Sequence, residues 1–94
     1  MNLLYFGFGD DIAEICKKLE YHQNKDRSDD IWDQATYISN HRSEWDEEEF
    51  NIEMEDLFEK LWLGLSDMQD KRGYKSLEII VNRIVRKQNQ LKGA

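Results

Sequence analysis

Apolar residues between Trp45 and Asp70 recur with the period of an α-helix. In a helical projection, eight of them fall within an arc about 140° wide, which is the width of a core-facing stripe. They are Phe50, Met54, Leu57, Phe58, Leu61, Trp62, Leu65 and Met68. The pattern predicts one amphipathic helix over residues 44–70, and the rest of the chain is expected to pack around it.

This predicted helix is long for so small a protein. As one unit it would measure about 40 Å, whereas a globule of 94 residues is about 30 Å across. Gly64 is its natural weak point, because glycine costs about 1 kcal/mol relative to alanine in a helix interior. We therefore expect the helix either to bend at Gly64 or to protrude from the core.

Three further segments show the same period, over residues 10–22, 28–41 and 75–91. The β-branched run at residues 79–81 also permits a strand, but a 3.6-residue period that continues for four turns favours a helix. The residues predicted to face inward are Ile12, Ile15, Cys16 and Leu19 in the first segment, Ile31, Ala35 and Ile38 in the second, and Leu77, Ile80, Val81, Ile84, Val85 and Leu91 in the last.

Polar residues and glycines mark the expected ends of these helices. Asp10, Ser28, Ser43 and Ser76 are the expected N-caps, and Gly73 is the expected left-handed C-cap of the long helix. Residues 1–9 are apolar but interrupted by glycine, which suits a short arm or strand. The sequence therefore predicts an all-α fold, a compact antiparallel bundle of about four helices in one domain, residues 1–94, with a short apolar N-terminal arm.

The side of the long helix opposite the apolar stripe combines acidic and apolar residues. Trp45, Ile52 and Leu63 project there, close to 180° from the stripe. Either a neighbouring helix covers these three side chains, or they anchor a partner and the surrounding carboxylates form the rim of a binding face. The candidate binding surface consists of Trp45, Glu48, Glu49, Ile52, Glu53, Glu55, Asp56, Glu59 and Leu63.

Charge is unevenly distributed along the chain, whose formal net charge is −7. Residues 1–70 carry six basic and 19 acidic groups, whereas residues 71–94 carry seven basic groups and one acidic group. Because Lys and Arg contacts dominate phosphate binding, the acidic body is unsuited to direct contact with nucleic acid or with an anionic membrane. An acidic surface favours a basic protein partner instead.

Cellular location is inferred from the same composition. Cys16 is the single cysteine, so an internal disulfide is excluded, and the first residues lack the basic leader and apolar run of a signal peptide. No apolar stretch approaches the roughly 20 residues that span a bilayer. We expect a cytoplasmic protein.

Catalytic and metal-binding patterns are missing from the sequence. The two histidines, His22 and His41, have no Cys, Asp or Glu at a spacing typical of a zinc or di-iron site. The acidic residues between positions 26 and 33 lack the glycine and glutamate of a calcium loop. Cys16 falls in an apolar stripe, as a small buried hydrophobe does. We predict no catalytic residue, no metal and no cofactor, and therefore a binding protein rather than an enzyme.

The leading functional hypothesis is an acidic helical inhibitor of a basic protein, namely an immunity protein or antitoxin that neutralises a nuclease-type toxin. In size, charge and predicted architecture the chain is similar to acidic helical immunity proteins as a class, although no motif ties it to one family. A phage-type nucleic-acid mimic that inhibits a restriction or CRISPR effector is the first alternative. The second is a self-associating adaptor, in which the acidic helix of one chain meets the basic final helix of another, so a homodimer stays open.

Overall fold

Helices account for nearly all of the described chain. The structure, a computed structural model, describes the backbone of residues 9–93 and the side chains of residues 9–89. Within this range the elements are α1 (Gly9–Tyr21), α2 (Lys25–His41), a single 3₁₀ turn (Arg42–Glu44), α3 (Glu47–Asp67) and α4 (Tyr74–Gly93), with no strand. The predicted all-α class is confirmed. The predicted arm lies outside the described residues except for Gly9, with which α1 begins.

Helices adjacent in the chain pack against each other, and α4 closes the bundle against α1. One apolar core lies between them. It contains Ile12, Ile15, Cys16, Leu19, Ile31, Ala35, Ile38, Phe50, Met54, Leu57, Leu61, Leu65, Met68, Leu77, Ile80, Val81 and Ile84. These are the residues that the helical period placed inward, with three differences among the described side chains. Phe58 and Val85 are only partly buried, and Trp62 is 45% exposed.

The long helix is shorter than the sequence pattern predicted. It has 21 residues and runs without interruption through Gly64, so the expected break at this glycine does not occur. At 1.5 Å per residue its length is about 32 Å, which fits within the 38 Å longest dimension of the protein. Gly64 is buried against side chains of α1 and α2, and a Cβ there would lie 3.5 Å from Leu19 Cδ1 and 3.6 Å from Ile31 Cδ1.

The N-terminal ends of the helices differ from the sequence prediction. Asp46, not Ser43, caps α3, and its side chain accepts a hydrogen bond from the backbone N–H of Glu49 at 2.9 Å. Because α2 begins three residues before Ser28, this serine is buried inside the helix, where its hydroxyl donates to the carbonyl of Cys16 at 3.2 Å. Asp10 and Ser76 likewise lie in the first turns of α1 and α4 rather than before them.

The predicted left-handed C-cap of the long helix is wrong, because α3 ends at Asp67 and its C-cap, Met68, has φ of −98°. Gly73 does not have a left-handed backbone, and a Cβ there would lie 2.8 Å from His22 Nε2. Among the described residues other than glycine, the one with a left-handed backbone is Gln23, with φ of 62°, two residues after the end of α1. The N–H of Gln23 donates to the carbonyl of Glu20 at 2.9 Å, and the N–H of Asn24 donates to the carbonyl of Leu19 at 2.8 Å. This is the hydrogen-bond pattern of a Schellman C-cap, which lets the chain turn sharply into α2.

Candidate partner-binding surface on α3

Ile52 and Leu63 form an exposed apolar line along the outer side of α3. Their side chains are 53% and 42% exposed. Residues eleven positions apart in a helix complete almost three turns, so these two lie on the same face, about 16 Å apart. Asp56 and Glu59 lie between them on that face and are exposed. The described helices leave this line uncovered.

The five exposed carboxylates around this line form no ion pair with a described residue. These acids are Glu48, Glu49, Glu55, Asp56 and Glu59. Their negative charges therefore remain available to a ligand approaching from solvent.

Position within α3 divides these five acids into two groups. Glu48 and Glu49 lie in the first turn, where the helix dipole stabilises negative charge. Glu55, Asp56 and Glu59 lie in the middle of the helix, where the dipole gives them no such stabilisation. Because like charges three or four residues apart repel each other, this second group lowers the stability of the isolated helix. The stability of the isolated helix therefore does not explain its presence.

The flank of α3 that faces α2 is occupied by intramolecular contacts. Glu53, one of the candidate binding residues, is half-buried and accepts hydrogen bonds from Gln34 Nε2 at its backbone carbonyl, 3.0 Å, and at Oε1, 3.1 Å. Further along, Lys60 Nζ lies 3.0 Å from Asp30 Oδ1. Glu53 thus helps to hold the two helices together, unlike the other acids of the candidate surface.

Asp67, at the C-terminal end of α3, makes further contacts on the flank that faces α2. Its carboxylate accepts hydrogen bonds from Asn24 Nδ2 at 2.9 Å and from Arg27 Nε at 3.0 Å. These two hydrogen bonds lower the pKa of Asp67 below its usual range. The α2 flank therefore contributes to the fold, whereas the outward side of α3 remains open.

Trp45 does not extend the line of Ile52 and Leu63. It precedes α3 with an extended backbone, φ −103° and ψ 147°, so the helical projection that placed it beside Ile52 does not apply. Its indole is partly buried against the core and packs on two aromatic rings, with centroid distances of 5.4 Å to Tyr37 and 5.8 Å to His41. The structure thus joins Trp45 to an aromatic cluster at the junction of α2 and α3.

Trp62 enlarges the open surface of α3, although it was predicted to face the core. Together with Phe58, Leu63, Glu55 and Glu59 it lines a shallow groove of about 400 Å³. The apolar period assigned Trp62 to the core, but this residue is at the edge of the stripe, about 80° from Ile52 in projection. That edge position was the available signal, because residues at the border of a stripe are half covered by a neighbouring helix.

Nucleophilic and metal-binding groups do not add a second site in the described residues. Burial raises the pKa of the Cys16 thiol to about 11, so this thiol stays protonated at neutral pH. Residues 9–93 contain no group of three or more His, Cys, Asp or Glu side chains placed to hold a metal ion. In the same range, none of the helices has the length and apolar character needed to cross a bilayer.

Comparisons with protein-family models, with curated proteins and with solved structures find no match to this chain. The surface of α3 combines an exposed aliphatic line, mid-helix carboxylates without ion-pair partners among the described residues, and a groove with an aromatic wall.

Proposed function

We propose that this protein is a small acidic binding protein that inhibits a basic partner, and that it acts in the cytoplasm as an immunity protein or antitoxin against a nuclease-type toxin. The observation that carries the proposal is the outer face of α3. Ile52 and Leu63 are exposed there, beside three mid-helix carboxylates that form no ion pair with any described residue. Such a face fits a basic surface that has an apolar centre.

The chemistry of a nuclease complements this face. An enzyme that cleaves nucleic acid presents Lys and Arg side chains to phosphates. An acidic helix accelerates encounter with such a surface through long-range attraction. Large apolar side chains at the centre of the contact then supply most of the affinity once water is excluded. In this arrangement Ile52 and Leu63 are the anchors, and Glu55, Asp56 and Glu59 form part of the rim.

The apolar line distinguishes this proposal from nucleic-acid mimicry. A mimic of DNA or RNA replaces phosphates by carboxylates and gains little from exposed aliphatic side chains. Ile52 is more than half exposed although it is surrounded by acids, and removing apolar surface from water is favourable by about 25 cal/mol per Å². The exposed isoleucine therefore favours an inhibitor that contacts protein over a mimic that presents charge alone.

Capture followed by an activity assay tests the proposal. The immobilised chain is incubated at low salt with a lysate of the native host, bound protein is released with high salt, and the eluate is assayed for cleavage of DNA and RNA. Purified chain is then added back. We expect nuclease activity in the eluate and its inhibition by the added chain, whereas an eluate without nuclease activity would contradict the proposal.

Two variants locate the contact. Ile52→Asp should leave the free energy of unfolding within about 1 kcal/mol of wild type, as surface substitutions do, but weaken inhibition by about 30-fold or more, as the loss of an interface anchor does. Tyr21→Asp is the matched control, because Tyr21 is an exposed apolar residue of α1 and does not line the groove on α3. It should inhibit like wild type. Equal inhibition by both variants would place the interface elsewhere.

A further inference from the structure

A second shallow apolar depression lies on α4. It has a volume of about 390 Å³ and is lined by Ile79, Asn82, Val85 and Arg86. Ile79 is 58% exposed. The groove on α3 has about the same volume but carries two carboxylates, whereas this depression carries a guanidinium.

Helical projection from the contact between α3 and α4 places residues of both depressions on the side of the bundle that these two helices form. Gln88 Nε2 donates to Asn51 Oδ1 at 3.4 Å, which marks the seam between the two helices. Phe58 and Trp62 follow Asn51 by seven and eleven residues, so they lie on the same flank of α3. Arg83 of α4 is turned toward α1, where it binds Asp11. In projection, Asn82 and Val85 lie on the α3 side of α4.

We propose that this α3–α4 face is the interface of a symmetric dimer, in which α3 of each copy lies on α4 of the other. In a two-fold dimer, each surface patch that contacts a second patch is contacted by it in return. The two halves of the face carry opposite charges. Glu55 and Glu59 border the α3 half and Lys75 and Arg86 the α4 half, and none of the four forms an ion pair with another described residue.

Charge selects one orientation of the two-fold axis. An axis parallel to the helices places α3 opposite α4 of the second copy, so that acidic residues face basic ones. An axis in the interface but perpendicular to the helices places α3 opposite α3, and carboxylates then face carboxylates, which is repulsive. Glu78, the single acid of α4, is half-buried beside Tyr74, whose hydroxyl donates to its carboxylate at 3.3 Å. It therefore does not reverse the charge of the α4 half.

The register of the two helices brings specific residues together. The two helices are antiparallel, because a short turn joins α3 to α4 and Asn51 contacts Gln88. A residue a given number of positions after Asn51 therefore lies at the same height along the bundle as the residue that many positions before Gln88. Glu55 is then within one turn of the level of Arg86, and Trp62 within one turn of the level of Ile79. An axis parallel to the helices preserves these levels. The dimer therefore pairs Glu55 with Arg86 and Trp62 with Ile79, each across the interface.

The expected dimer is weak. Two neighbouring helices of about 30 Å present roughly 600 Å² per copy, or about 1,200 Å² in total, which is the lower limit of stable interfaces. We expect a dissociation constant in the micromolar range. This inference does not depend on the proposed function. The groove includes Leu63, Glu55 and Glu59 of the proposed partner-binding face but not Ile52 or Asp56, so a basic partner bound to that face would compete with the second copy.

Sedimentation equilibrium of the full chain and of its charge-reversal variants, at concentrations up to about 1 mM, tests whether this dimer forms. Wild type should dimerise, and Glu55→Arg and Arg86→Glu should each weaken dimerisation by at least about tenfold, because every reversal places like charges together twice in the symmetric dimer. Combining the two reversals restores opposite charges and should restore the dimer. Asp56→Arg, which reverses a neighbouring charge outside the groove, is the matched control and should leave dimerisation unchanged.

A second variant tests the apolar half of the contact independently. Ile79→Asp should weaken dimerisation by at least about tenfold, because it buries a carboxylate in the apolar part of the interface. Circular dichroism on each variant verifies the fold, which exposed substitutions should not disturb. A wild type that stays monomeric at all concentrations would overturn the inference, and both depressions would then be candidate contacts for a different protein. A dimer insensitive to every variant would also overturn it.

Discussion

Asp11 on α1 and Arg83 on α4 form an ion pair that connects the first and last described helices. Arg83 Nη1 lies 2.9 Å from Asp11 Oδ1, and Lys87 Nζ lies 3.5 Å from Asp11 Oδ2. Asp11 is buried, at 7% exposure, whereas the two cations are about half exposed. Their pairing gives the α1–α4 contact a specific polar connection.

Removing Arg83 should therefore destabilise the protein. Arg83→Met keeps the aliphatic packing but leaves a buried carboxylate with only the more distant Lys87, so we expect a loss of about 2 kcal/mol in the free energy of unfolding. Lys75→Met, on the exposed part of α4, should change it by less than about 0.5 kcal/mol. Urea denaturation of both variants measures the difference. Equal values would mean that the ion pair contributes nothing.

Sequence periodicity predicted the core well because burial in a bundle follows the side-chain geometry of a single helix. Leu57 and Leu61 lie on the axis of the α3 stripe and are fully covered in the structure. Trp62 lies at the edge of the same stripe, where the burial of a side chain depends on how closely α4 approaches α3. That distance is a tertiary property, and the 3.6-residue period contains no information about it.

Helix ends were predicted less well because tertiary contacts compete with local capping. Ser28 satisfies the local rule for an N-cap, yet its hydroxyl binds the Cys16 carbonyl of α1 instead, and α2 begins earlier. The acids of the candidate surface were identified from sequence, since charge and face follow from position alone. Their lack of ion-pair partners among the described residues became visible only when the neighbouring helices were placed.

Gln23 offers a stabilising substitution. A side chain in the left-handed region brings Cβ close to the following carbonyl, at a cost of about 1 to 2 kcal/mol that glycine does not bear. Gln23→Gly should therefore raise the free energy of unfolding by roughly 1 kcal/mol. Lys17→Gly, at an exposed helical position of α1, should lower it by about the same amount. Chemical denaturation with both variants is the measurement, and a loss of stability in both would contradict the Schellman cap.

The two described interior glycines should respond differently to alanine. At Gly64 an added Cβ would meet Leu19, Arg27 and Ile31 at 3.5 to 3.6 Å, which is ordinary contact, so Gly64→Ala should gain up to about 1 kcal/mol from helix propensity. At Gly73 the Cβ would lie 2.8 Å from the His22 ring, which must move. Gly73→Ala should therefore be less stable than Gly64→Ala. Thermal melts rank the two variants, and the reverse order would contradict the packing described for α3.

Stability should decline at alkaline pH because of Cys16. Burial raises the pKa of this thiol from 9.0 to about 11, so the folded chain retains a proton that the unfolded chain loses. The stabilisation is complete below pH 9 and is lost as the pH rises toward about 11. It is of the order of 2 kcal/mol. Cys16→Ala should show a flatter dependence between these pH values in urea titrations, and identical slopes would show that the thiol titrates normally.

The mid-helix acids of α3 should reduce stability. Glu55 and Glu59 are four residues apart, and Asp56 and Glu59 are three apart, so their charges repel each other. The variant with Glu55→Gln, Asp56→Asn and Glu59→Gln should be more stable than wild type by about 0.5 kcal/mol at low salt, and added salt should reduce this gain by screening. The comparison is a thermal melt of each protein at low and high salt.

Glu47→Gln is the matched control for this effect. Glu47 lies in the first turn of α3, where the dipole favours its charge, and its carboxylate is 3.6 Å from Arg42. Neutralising it should therefore lower stability slightly, opposite in sign to the mid-helix variant. If the mid-helix variant also melted lower than wild type, the three carboxylates would be stabilising the fold. A role in stability would then explain these carboxylates without a partner, and their charge would no longer support a binding face on α3.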